Sequence, residues 1–266
     1  MTDRRGEWLV AYFPAPEGGD AAARELAREV GLRVEASTSL RDVPAEWWWV
    51  PAGEPPASEM GEGGEVVRIS PTLTVDRSGL PEGAARDPAE TGEGLVIRLA
   101  PGLGFGDAGH PTTRAVLGEL ESRVSSGDAI LDLGTGSGIL AVAAARLGAS
   151  RVDAVERDRY ACRAALQNVE RNGVSEVVRV RPWEVAPGDL RGGGPWDGIL
   201  ANVVPRILKP LLPELAEELR QGGWLILSGA SGGERDPVLA TAADAGLSVE
   251  EERWDEGWWS VVLRRP

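Results

Sequence analysis

The sequence predicts an α/β protein with a doubly wound, mostly parallel sheet of seven strands, preceded by a small α+β module. Three observations carry this. The apolar run Ile130-Leu131-Asp132-Leu133 ends in Gly134-Thr135-Gly136-Ser137-Gly138 and passes into an alanine-rich stretch over 140–147, which reads as strand, turn and helix. A second run, Val152-Asp153-Ala154-Val155, ends at an acid, Glu156. The last two apolar runs, 247–252 and 258–263, have no helix-length segment between them and are expected to pair antiparallel.

Taken in chain order, 8–13 reads as a strand, 20–30 as an amphipathic helix and 32–36 as a strand. Trp47-Trp48-Trp49-Val50 completes a β-α-β-β layer over 1–50. Consecutive tryptophans place rings on both faces of a strand, so they either cover a thin core or form a docking surface. The stretch 51–64 (PAGEPPASEMGEGG) is a linker by composition, 65–75 is a strand or strand pair, and 77–94 is again polar with glycine and proline. Residues 51–94 are thus expected to be a linker with short strands. The larger domain, 95–266, opens with a strand at Leu95-Val96-Ile97-Arg98-Leu99. A helix is expected over 112–124 and strands over 177–180 and 196–201. A helix over 207–219, a strand over 224–228 and a helix over 237–245 follow.

Composition narrows the function. The single Cys162 excludes an internal disulfide and a cysteine-based metal cage, and no metal site is expected. No signal-like apolar core or membrane-length run occurs, so a cytoplasmic protein without membrane contact is expected. The net charge of -14 argues against direct nucleic-acid binding but suits a basic protein partner. Lys209 is the only lysine, a bias that a GC-rich genome or a hot or salty habitat would equally produce.

The glycine turn carries the chemistry. Glycines let a chain turn sharply, and the amides that open a helix offer unpaired donors to a ligand. A dinucleotide fingerprint needs its third glycine at 139, which is Ile139. The observed Asp-Leu-Gly-Thr-Gly-Ser-Gly resembles class I S-adenosylmethionine-dependent methyltransferases. That likeness puts Asp132 at the methionine end of the cofactor and the turn of Gly134, Thr135, Gly136 and Gly138 under its sugar. Glu156 suits a ribose diol, whose hydroxyls need an acceptor.

Three further segments converge on the same crevice. The loop Phe105-Gly106-Asp107-Ala108-Gly109-His110-Pro111-Thr112-Thr113 precedes the turn by one helix and holds the only histidine. His110 is either a structural hydrogen-bonder or a catalytic group, and Thr112 and Thr113 are expected to touch the ligand. Beyond the third strand, Trp183 would stack on an adenine or serve packing alone, or Glu184 would accept from the adenine amino group. The fourth strand delivers Asn202, whose side-chain oxygen can accept from an amine and fix its lone pair for in-line transfer.

The combined pattern resembles the PrmA family, most specifically in His-Pro-Thr-Thr and Leu-Ala-Asn. Those enzymes methylate amines of a ribosomal protein, large-subunit protein eleven, at lysine side chains and the N-terminus. The resemblance implies a class I Rossmann-like fold with an antiparallel last strand. It also implies S-adenosylmethionine contacts from Thr112 or Thr113, Gly134, Glu156 and Asn202, with Asn202 also orienting the amine. The family usually reads Phe-Gly-Thr-Gly where this chain has Phe105-Gly106-Asp107-Ala108, and aspartate where it has Glu156. Its N-terminal module, which recognises the ribosomal protein, is longer than 1–50. A methyltransferase of another protein or a small molecule, and a non-catalytic cofactor-binding scaffold, are the alternative readings.

Overall fold

The structure, a computed structural model, describes residues 66–78, 94–100 and 105–266, all within the unit Gly53–Pro266. The module expected over 1–50, with its run of three tryptophans at 47–49, lies outside the described residues.

Two sheets are present among the described residues. The smaller joins β1 (Val66–Arg68), β2 (Leu73–Asp76) and β3 (Leu95–Arg98), with β1 antiparallel and β3 parallel to β2. The strand pair expected over 65–75 is therefore there, and it shares a sheet with the strand expected at 95. Leu73, Val75 and Ile97 are fully buried and belong to the same core cluster as the helices that follow.

The larger sheet has seven strands. Its elements are α1 (Pro111–Arg123), β4 (Ala129–Leu133), α2 (Ile139–Leu147), β5 (Arg151–Glu156), α3 (Arg159–Arg171), β6 (Val178–Pro182) and β7 (Trp196–Asn202). After these come α4 (Pro205–Leu208), α5 (Leu212–Glu218), β8 (Leu219–Ser231), α6 (Arg235–Asp244), β9 (Ser248–Asp255) and β10 (Trp258–Arg264). The spatial order is β6-β5-β4-β7-β8-β10-β9. The first five of these strands run parallel, and β10 is antiparallel to both β8 and β9. The chain steps outward from β4 in one direction and returns to its other side at β7, which makes the β4–β7 boundary the switch point where open α/β sheets bind ligands.

Alternation along the strands divides the core into two layers. Ile130, Val152, Ala154, Leu200 and Ile226 face a layer built with α1, α2 and α3. Leu131, Leu133, Ile199, Leu225 and Leu227 face one built with α4, α5 and α6. Asp132 lies between Leu131 and Leu133 and so points into the first layer.

Two expectations are corrected. The helix expected over 207–219 is divided into α4, a 3₁₀ turn at Lys209–Leu211, and α5. Pro210 and Pro213 explain the break, since each lacks an amide donor and crowds the preceding turn. The strand expected over 224–228 is the middle of a longer β8.

Candidate active site

The glycine turn is shaped by its own protein neighbours. Gly134, Gly136 and Gly138 have φ of +74°, +56° and +82°, values that side chains disfavour. A Cβ at Gly136 would strike the carbonyl oxygen of Phe105, and one at Gly134 the Val203 side chain; at Gly138 it would lie 3.0 Å from Ala165. The glycines thus let the turn pack between the loop before α1, the end of β7 and helix α3. That loop is stitched to the turn as well: Ser137 donates its amide to Phe105 O (2.9 Å) and its hydroxyl to Gly106 O (2.5 Å).

Asp132 is completely buried and accepts from the Thr135 hydroxyl at 2.5 Å. Burial pushes its carboxyl up to about 7, against the Thr135 and Ala141 hydrogen bonds that favour the charge; the nearby Glu156 adds to the rise. Glu156 closes the turn from the other side, with Oε2 accepting from the Gly136 amide (3.1 Å) and Oε1 from Asp158 N (2.9 Å). Trp183 donates its amide to Glu156 O at 2.7 Å, and its partly buried ring packs on the second core layer. Glu184 is turned outward, 3.5 Å from Arg157.

His110 is the N-cap of α1. Its Nδ1 accepts from Thr112 N at 3.3 Å and lies 2.8 Å from the Thr112 hydroxyl, while its ring packs between Phe105 (5.3 Å) and Trp258 (4.8 Å, edge-on). The preceding loop is braced by Asp107, which pairs with Arg77 at 2.8 Å and accepts from Gly109 N at 2.8 Å. Ala108 sits in the left-handed region at φ +66°, which a Cβ disfavours. Its methyl is fully buried, which offsets part of the strain.

Thr113, fully buried on the first turn of α1, reaches the end of β7: Asn202 donates from Nδ2 to its hydroxyl at 3.4 Å. The other end of that amide, Asn202 Oδ1, is buried and has no hydrogen-bond partner among the described residues. A buried carbonyl oxygen left in that state is costly unless a ligand supplies the donor. Thr113, Asp132, the glycine turn, Glu156 and Asn202 thus gather at the C-terminal ends of β4, β5 and β7, while the Thr112 hydroxyl is turned to His110 at the cap of α1.

A family model described as ribosomal protein L11 methyltransferase (PrmA) matches residues 67–266. The chain belongs to that family. The ribosomal protein L11 methyltransferase of Symbiobacterium thermophilum is 34% identical over 262 residues, covering 98% of this chain and 82% of that protein. That of Chloroflexus aurantiacus is 40% identical over 193 residues, covering 65% of this chain and 59% of that protein. The chain spans less than two thirds of the length of several such relatives. Among solved structures, ribosomal protein L11 methylase from Lactobacillus delbrueckii subsp. bulgaricus superposes with a TM-score of 0.66 at 28% identity, over 76% of this chain and 99% of that one.

Within this PrmA-family chain, sequence reasoning passed over the residues that fasten the small sheet to the site. Asn168 on α3 donates to Ser137 O (2.8 Å) and accepts from Ala100 N (2.7 Å), and Asn172 bonds both Arg98 N and Arg98 O. An asparagine spaced i, i+4 on a helix face of alanine and valine was the available signal. Ser228 on β8, buried with an unpartnered hydroxyl, was also passed over.

Proposed function

We infer that the chain transfers a methyl group from S-adenosylmethionine to amines of ribosomal protein L11, at lysine side chains or the N-terminus. The observation that carries this reading is the buried, unpartnered Asn202 Oδ1 at the switch point of the sheet. A primary amine offers the donor that oxygen lacks, and accepting its N–H directs the nitrogen lone pair. Asn202 Nδ2 faces the Thr113 hydroxyl, which leaves Oδ1 free for the amine.

The residues present fit the cofactor. Glu156 is held at the glycine turn with lone pairs left over for ribose hydroxyls, Asp132 lies close to it, and Thr113 lies beside Asn202. S-adenosylmethionine, when bound, supplies a methyl group activated by the sulfonium charge. The chain's own work is to orient the amine, through Asn202. His110 in this reading positions α1 and its two threonines, rather than moving a proton.

The acidic chain suits a basic ribosomal substrate, and such a substrate goes with a cytoplasmic enzyme. No helix among the described residues is long and apolar enough to cross a membrane. We assign 1–50 to substrate recognition, joined through 51–94 to the methyltransferase domain 95–266, with β1 and β2 packing on that domain.

The test uses methyl-labelled S-adenosylmethionine, the purified chain and a desalted lysate supplemented with small metabolites. Label on one protein, identified as L11 by mass, is expected. Label confined to small molecules would overturn the substrate, and no transfer at all would favour a scaffold.

A further inference from the structure

Asn202 is not alone in carrying a buried polar atom without a partner. On the neighbouring parallel strand, Ser228 is 3% exposed and its hydroxyl makes no hydrogen bond among the described residues. Asn202 and Ser228 are register partners of β7 and β8, which places their side chains on the same face of the sheet, about 5 Å apart at the backbone. Leu200 and Ile226, two residues earlier on each strand, face the α1 layer, so Asn202 and Ser228 do too.

The backbone at Ser228 is specialised. From Leu227 to Ala230, β8 advances three residues while its partner β10 advances two, from Val261 to Trp259. Ser228 and Gly229 are therefore a bulge, and Gly229 has φ +91°. A Cβ at Gly229 would lie 3.0 Å from the carbonyl oxygen of Val203, the residue after Asn202. Bulges beside active sites redirect a side chain that regular pairing would leave in the ladder.

We propose that Ser228 is a second amine-positioning residue, acting with Asn202 to hold both N–H groups of an unmethylated primary amine. This rests on the methyltransferase reading above. A neutral primary amine has two N–H donors and one lone pair. With one N–H given to Asn202 Oδ1 and the other to Ser228 Oγ, the lone pair has one direction left. In the transfer, the nitrogen pair forms the N–C bond while the C–S bond breaks with its pair on sulfur, and the product ammonium sheds a proton to water. Each methyl added removes one N–H, so Ser228 matters most for the first transfer and least for any later one.

The experiment compares the full-length wild type with Ser228→Ala on ribosomal protein L11, following each transfer by mass. S-adenosylhomocysteine affinity and thermal unfolding are measured alongside. The first transfer should slow about tenfold in kcat, the value of one lost hydrogen bond. Any later transfer should slow less, and S-adenosylhomocysteine affinity should be unchanged. The unfolding temperature should hold or rise, because a buried unpaired hydroxyl has been removed. Ser228→Thr, which keeps the hydroxyl, should recover the first transfer. An unchanged kcat, an equal slowing of every transfer, or weakened S-adenosylhomocysteine binding would each overturn the assignment. If the wild type methylates no L11 amine, the underlying reading fails first, and the two failures are distinguishable.

Discussion

At Asn202 the side-chain amide makes, among the described residues, one long bond to Thr113, so alanine there removes an orienting acceptor and little stabilising contact. Asn202→Ala should lower kcat about 100-fold while the unfolding free energy changes by less than about 1 kcal/mol. Steady-state rates beside a chemical melt check this, and a loss of fold in proportion to rate would sink it. Asp132 behaves differently, because its burial acts on stability. Its carboxyl lies near 3.8 when unfolded and is pushed to about 7 when folded, so between those values the native state binds more protons than the unfolded chain. Its contribution therefore favours the fold fully below about pH 4 and is lost as pH rises toward 7. Asp132→Asn keeps an acceptor for Thr135 and does not titrate. In the ligand-free protein, the stability of Asp132→Asn relative to wild type should grow from pH 4 to 7 by at most about 4 kcal/mol, then level off. Denaturant melts across that range decide it; a flat difference would mean that the carboxyl stays ionised.

The start of α1 binds three parts of the site into one element, since His110 caps it, Thr112 and Thr113 open it, and Trp258 of β10 packs against its cap. His110→Ala should cost about 1–2 kcal/mol through the lost cap and ring contacts. His110→Asn keeps a capping oxygen and should restore much of that stability, with turnover within about tenfold of wild type. A variant as stable as wild type but inactive would instead make His110 a catalytic group. The same element marks what was legible in the sequence. The strand-turn-helix of 130–147, the acid at Glu156, the His-Pro-Thr-Thr loop and Asn202 all carried local signals: glycine spacing, a strand ending, a cap. The antiparallel ending was legible too, because no helix fits between 252 and 258. What escaped depends on distant contacts. The need for glycine at 136 is set by the carbonyl of Phe105, more than thirty residues earlier in the sequence. The insertion of β10 between β8 and β9 and the bulge at Ser228 follow from pairing register, which alternation alone does not encode. The breaks in the 207–219 helix are legible in Pro210 and Pro213, although the i, i+4 apolar spacing runs unbroken across them.

Across the whole molecule the dominant electrostatic fact is the charge of -14, carried by 42 acidic against 28 basic side chains. Many of the arginines are committed to local pairs. Arg123, with its side chain 8% exposed, joins Glu119, Glu250 and Glu251, and Arg235 is held by Glu252 and Asp236. Hydrogen bonds from Arg264 and Arg123 hold Glu250 below the usual carboxylate range, and one from Arg235 does the same for Glu252, so the C-terminal hairpin stays charged through neutral pH. The surplus negative charge is left to act on what approaches. A protein that sits against RNA phosphate carries an excess of lysine and arginine, and the acidic enzyme would draw it in over about a Debye length. With L11 as substrate, raising salt from about 50 to about 500 mM should lower kcat/KM about tenfold through slower encounter, while kcat at saturation stays constant. The split follows because long-range attraction ends once the complex has formed, and the orienting groups at Asn202 are shielded from bulk ions. Initial rates at several salt concentrations measure both parameters. A kcat/KM indifferent to salt would show that the field serves solubility alone and that recognition rests on short-range contacts.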